Sequence, residues 1–210
     1  TGSPYSDLRM KNGNREPFNV KFWEIGNEQY GPWENGHTNA VDYATRYLEY
    51  AKQMRAVDPT IKLMINGDTW GFNWNDTIIR IAAKEIDYFS VHWLSINSDT
   101  TYNRDLTHRV MMSNGNMASF WSPILHDKIV ESGLSKDIPL AYTECVQFYA
   151  DPHNYMIPIA GSLESGLWVG NVLHSFYKQA DIVKLVNKTM FLGSIRAGIH
   201  SKTGERVFFA

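Results

Sequence analysis

Strand-length apolar runs alternate with helix-length segments along nearly the whole chain, and this alternation narrows the possible folds more than any other feature. Residues 18–25 (FNVKFWEI) are rich in aromatic and β-branched side chains and stop at Gly26-Asn27-Glu28. After an aromatic loop, residues 38–57 place Ala40, Tyr43, Ala44, Tyr47, Leu48, Ala51 and Met54 at helical spacing. Thr38 is the expected N-cap of that helix, and Asp58-Pro59 its stop. Further strands are expected at 61–65, 86–94, 138–146 and 190–195, with helices at 75–84, 117–132 and 157–180. The polar stretch 97–116 shows no clear period and reads as a long insertion loop. No repeat, low-complexity tract or linker divides the 210 residues, so residues 1–210 are expected to form one domain.

The order β-α-β-α-β-α-β-α-β is that of an α/β fold with parallel strands. An open doubly wound sheet would normally announce a nucleotide by a Gly-rich turn after its first strand. Gly31 and Gly36 make no GxGxxG pattern, and no phosphate loop occurs. Polar residues instead gather where strands end, which is where barrel enzymes keep their chemistry. The expected fold is therefore of the (β/α)8 TIM-barrel type.

Hydrophobic residues make up 43% of the chain, enough for a sizeable core, and the net charge is −2. A near-neutral chain without a basic run argues against nucleic acid or an anionic membrane as partner. No apolar stretch reaches the ~18 residues of a membrane span. The start, Thr1-Gly-Ser-Pro-Tyr5, has the features of no signal peptide, and the compartment stays open. Cys145 is the single cysteine, which excludes an intrachain disulfide and a Cys-based zinc site; it reads as a small buried hydrophobe. Seven histidines form no HxxxH pair, and no metal is expected.

Two carboxylates stand out by position. Glu28 leaves the first strand and Glu144 the fourth, so parallel strands would bring both to one barrel mouth. Facing carboxyls are what glycoside cleavage needs: one protonates the departing oxygen, and the other attacks the anomeric carbon or activates water. Different burial can split their pKa values. Tyr30, Trp33, Trp70, Trp74, Trp93 and Phe148 all follow strand ends. Sugars pack their C–H faces on such rings, so this set favours a carbohydrate cleft.

Residues 23–30 (WEIGNEQY) resemble the acid/base segment at the end of strand four in clan A retaining glycoside hydrolases, closest to family 51 α-L-arabinofuranosidases. Residues 87–93 (DYFSVHW) resemble strand six of that family, Thr143-Glu144 the end of strand seven, and 180–187 (ADIVKLVN) the approach to strand eight. The resemblance implies a retaining enzyme that hydrolyses terminal α-L-arabinofuranosides of plant polysaccharides by double displacement, without a cofactor. Glu28 would be the acid/base and Glu144 the nucleophile. Asn27 would bind the sugar 2-hydroxyl, His92 would orient a carboxylate or the sugar, and Tyr30, Trp93 and Phe148 would line the pocket.

Three points depart from that pattern. Leu94 stands where the family has a Tyr that hydrogen-bonds the nucleophile, and Cys145 stands at a usually aromatic position. The match begins at strand four, so the resemblance implies only the strand 4 to strand 8 portion of a barrel. Such a fragment exposes a sheet edge and an apolar inner face, which a missing barrel portion or a second copy would cover. A β-xylosidase, an endo-glucanase or a non-catalytic carbohydrate binder are the alternatives that the residues leave open.

Overall fold

The computed structural model describes residues 2–97, 104–132, 137–150, 156–158, 163–189, 196–199 and 206–209. The elements run α1 (Pro4–Lys11), β1 (Phe22–Ile25), α2 (Ala40–Val57), β2 (Lys62–Asn66), α3 (Phe72–Ala82), β3 (Tyr88–Asn97), α4 (Arg104–Glu131), β4 (Leu140–Ala150), β5 (Met156–Pro158), α5 (Leu163–Tyr177), β6 (Val183–Lys188), β7 (Arg196–Ile199) and β8 (Arg206–Phe209). Strands β1, β2, β3, β4 and β6 pair in parallel in that order and curl into part of a barrel, with helices outside. β5 adds antiparallel to the upper end of β4, and β7 pairs with β8 in a separate hairpin. No helix among the described residues is long and apolar enough to cross a membrane.

The period of two along each strand sorts the side chains. Leu63 and Ile65, Phe89, Val91 and Trp93, and Leu140 and Tyr142 face the helices and are almost fully buried. Ser90, His92 and Leu94 point the other way, into the barrel. Burying the helix-side row, with Tyr47, Ile78 and Ile79 from the helices, supplies the main driving force for the fold.

Several expected boundaries move, each for a stated reason. The first strand spans only Phe22–Ile25, because pairing begins at Phe22↔Lys62; Phe18 and Val20 upstream are exposed. Asn39, not Thr38, caps α2, its side chain accepting from the Asp42 amide at 3.0 Å. The described part of the expected loop at 97–116 is helical from Arg104, continuous with the expected helix beyond it. Its buried stripe is Met111, Gly115, Ala118, Ser122, Leu125 and Ile129, a regular 4-3 spacing hidden by two small or polar members. Gly115 sits against α5, where an added Cβ would lie 2.9 Å from the Asn171 amide. The fifth parallel strand is Val183–Lys188, while the expected 190–195 lies outside the described residues. The expected helix at 157–180 holds β5 at its start and α5 later.

Tyr43 locks the ends of β1 and β2 together. Its buried hydroxyl donates to the Ile25 carbonyl at 2.6 Å and accepts from the Asn66 amide at 2.7 Å. Tyr43→Phe should destabilise the chain by about 1–3 kcal/mol, because two buried backbone groups lose their partner. Urea unfolding of the two proteins checks this.

Candidate active site

Glu28 does not continue β1. It follows a turn in which Gly26 has φ +99° and Glu28 itself φ +47°. A non-glycine residue held in the left-handed region stores roughly 1–3 kcal/mol of strain, and such outliers cluster at functional sites. The Gln29 side chain closes the turn by accepting from the Asn27 amide at 2.5 Å. Trp33, on the loop that follows, donates its indole N–H to Glu28 Oε2 at 2.6 Å.

Glu144 owes its direction to an irregularity. Val91 pairs with Tyr142, but His92 pairs with Glu144, so Thr143 is an extra residue in β4. Strict alternation would send Glu144 toward the helices behind Tyr142. The bulge shifts the phase and returns it to the face of His92, inside the barrel. Cys145 then takes the helix side, where burial pushes its thiol up to about 12. The expected small buried hydrophobe is what the structure holds.

His92 stands between the two carboxylates. Its Nδ1 lies 2.6 Å from Glu28 Oε1 and 3.7 Å from Glu144 Oε2. A carboxyl oxygen of each Glu and a ring nitrogen of His92 all lie within 4.8 Å of one another. These are the atoms among the described residues that could converge on a cation. However, the 2.6 Å contact has the length of a shared proton, shorter than the roughly 3.3 Å between ligands of a tetrahedral zinc bound at about 2.0–2.1 Å.

The hydrogen bond with His92 is the largest influence on Glu28; helped by Trp33 and opposed by burial, it lowers that pKa. Burial raises Glu144, with the charges of Glu28, Glu24 and Glu34 adding to it and His92 opposing. For His92 burial disfavours the cation, but the Glu28 hydrogen bond and the charges of Glu144, Glu28 and Glu24 outweigh it and raise the pKa.

The three groups open into a cleft of about 840 Å³. Of the residues expected in the pocket, Tyr30 and Phe148 line it, joined by Leu94, Trp33, Trp70, Asp68, Thr69 and Asn114. Two expected residues fall elsewhere. Trp93 is 0% exposed and packs among Trp70 and Tyr142 in the core, because it sits one residue out of phase with His92. Asn27 is exposed and gives its amide to Glu34 Oε1 at 3.1 Å, outside the cleft lining. Asn114 lies in a stretch of sequence without a clear period and so carries no signal there, and a lone Asp after a strand, such as Asp68, carries little. Trp33 and Trp70 were legible as aromatic residues after strand ends.

The family model described as "Alpha-L-arabinofuranosidase 1 domain" matches residues 1–109, a stretch that holds Glu28 and His92. The intracellular exo-alpha-(1->5)-L-arabinofuranosidase of Acetivibrio thermocellus is 28% identical over 97% of this chain and 44% of its own length. Among solved structures, the alpha-L-arabinofuranosidase from Thermotoga maritima in its arabinose complex gives a TM-score of 0.63 at 32% identity, covering 90% of this chain and 38% of that one. The GH51 arabinofuranosidase from Xanthomonas axonopodis pv. citri gives 0.72 at 20% identity, covering 90% and 40%, a likeness of fold alone. The chain thus spans less than half the length of these relatives.

The His92–Glu28 pair should make stability depend on pH in a defined window. Glu28, lowered from 4.5, contributes fully above pH 4.5 and loses its contribution as pH falls through its folded value. His92, raised from 6.5, contributes fully below pH 6.5 and loses its contribution as pH rises through its folded value. The stability difference between the wild type and His92→Gln should therefore be largest between pH 4.5 and 6.5 and shrink on both sides. Denaturant unfolding across pH measures it.

Proposed function

The chain belongs to the family of the α-L-arabinofuranosidase 1 domain, and from that premise we propose that it carries the paired carboxyl groups of a retaining glycoside hydrolase acting on terminal α-L-arabinofuranosides of plant polysaccharides. The observation that carries the reading is the placement of Glu28 and Glu144 oxygens within 4.8 Å across one cleft. That is closest to the roughly 5–5.5 Å spacing of retaining sites and well short of the 6.5–9.5 Å that leaves room for an inverting water.

Glu144 attacks the anomeric carbon while Glu28 protonates the departing oxygen; the glycosidic bond breaks as the ester to Glu144 forms. Water then attacks the same carbon, Glu28 takes its proton, and the ester bond breaks. The resting pKa split runs against these roles, since Glu28 is lowered and Glu144 raised. The 2.6 Å hydrogen bond offers the remedy. When His92 is the cation and Glu28 the carboxylate, moving the Nδ1 proton to Glu28 Oε1 leaves a neutral imidazole, a protonated acid and the same total charge. Trp33, Trp70 and Phe148 offer ring faces to the sugar. Asn27 can meet the sugar 2-hydroxyl only by rotating away from Glu34.

In this reading residues 1–210 are one partial catalytic domain, from strand four to strand eight. β1 pairs only with β2 among the described residues, and Phe18 and Val20 before it and Phe22 and Trp23 within it are exposed. Further barrel strands, or a second copy, would cover that edge.

Hydrolysis of an aryl α-L-arabinofuranoside tests the assignment. Glu144→Gln should lower kcat at least about 10⁴-fold, as loss of a nucleophile does. Glu28→Ala should lose about 10²–10⁴-fold and regain turnover with azide, which needs no general base. Unimpaired turnover in Glu144→Gln overturns the proposal.

A further inference from the structure

Beneath the Glu28–His92–Glu144 cluster lies a third carboxyl group that the reaction does not use. Glu24 sits in β1 and faces into the barrel. The Ser90 hydroxyl of β3 donates to Glu24 Oε1 at 2.6 Å, and Ser90 Oγ and Thr143 Oγ1 lie 2.6 Å apart. Ser90 has one proton and gives it to Glu24, so Thr143 is the donor to Ser90. Thr143 is the extra residue of the β4 bulge, immediately before Glu144. From β2, Asn66 lies close enough to favour the ionised form of Glu24, and its buried amide nitrogen has no partner at hydrogen-bond distance.

We propose that Glu24 is a positioning residue of the active site: through Ser90 and Thr143 it ties β1 to the bulge that aims Glu144, and its charge acts on His92 and Glu144 from below. The inference rests on reading that cluster as the active site, and it adds to that reading a residue that need not touch the sugar. A carboxyl group suits the place because it accepts Ser90's proton while its charge is tempered by burial, the largest influence on it, which raises its pKa. Ionised Glu24 favours the His92 cation and disfavours ionised Glu144. Further titratable groups on α2 are Tyr43, which the charge of Glu24 raises, and Arg46, Tyr47 and Tyr50, which line a second cleft together with Glu24. All lie outside the Ser90–Thr143 link.

The test reads His92 directly and needs no turnover: the pH titration of its imidazole by NMR in the 210-residue chain. Glu24→Gln keeps the size and an oxygen acceptor for Ser90 but removes the charge. It should lower the His92 midpoint by about half a pH unit or more, the size of effect that a neighbouring charge has on a partly buried group. Ser90→Ala keeps the carboxyl group but takes away the hydrogen bond that stabilises its anion. It should lower the midpoint in the same direction by less. A merely structural Glu24 would change the melting temperature and leave the His92 midpoint where it was. Unchanged midpoints in the folded variants overturn the proposal, and Ser90→Ala decides alone if Glu24→Gln does not fold. Absence of arabinofuranoside hydrolysis by the unsubstituted chain, with these shifts intact in the variants, would count against the glycosidase reading and not against this one.

Discussion

Between Val91 and His92 the register of β3 against β4 slips by one residue, so that Tyr142 and Glu144, rather than Tyr142 and Thr143, meet consecutive residues of β3. Everything chemical in the cleft depends on that slip. Without it Glu144 would join Tyr142 against the helices, where an ionised carboxylate has no water and no cation. With it Thr143 reaches Ser90, Glu144 reaches the face of His92, and Cys145 fills the helix side in its place. Extra residues in strands are a common device for re-aiming a side chain near a site. On the opposite wall the left-handed turn at Glu28 does the same work, throwing a residue beyond the strand end back toward His92.

Placing several acids around one imidazole is electrostatically costly. The fold offsets part of the cost through hydrogen bonds, from Trp33 to Glu28 and from Ser90 to Glu24. The remainder shows as displaced pKa values: lowered where the His92 hydrogen bond falls, raised where burial dominates. A short hydrogen bond between His92 and Glu28 can pass one proton without separating charge, which suits the acid/base role proposed for Glu28.

How far all this was legible in the sequence differs from residue to residue. Glu28 and Glu144 could be found because parallel topology sends every strand end to the same mouth, a consequence of element order alone. His92 followed from the same logic. Strand-end position alone puts Trp93 in the pocket, but the period of two turns it into the core behind His92. The helix over 104–116 carries little apolar signal, because its buried stripe there consists of Met111 and Gly115 among the described side chains. Val183–Lys188 was passed over as a strand of its own, since Lys184, Asn187 and Lys188 break up its apolar run. The β4 bulge and the Glu24 network could not be read, because both come from the pairing of segments far apart in the chain.

The central claim is that Glu144 is the nucleophile and Glu28 the acid/base of one retaining site. The most direct measurement uses a slow arabinofuranosyl substrate with an activated leaving group, offered to the Glu28→Ala variant, where breakdown of the glycosyl ester is retarded. Mass spectrometry of the digested protein then locates the attached sugar. An adduct on the peptide that contains Glu144 is the predicted result. An adduct elsewhere, or leaving-group release in the first turnover with no covalent species, would contradict the account.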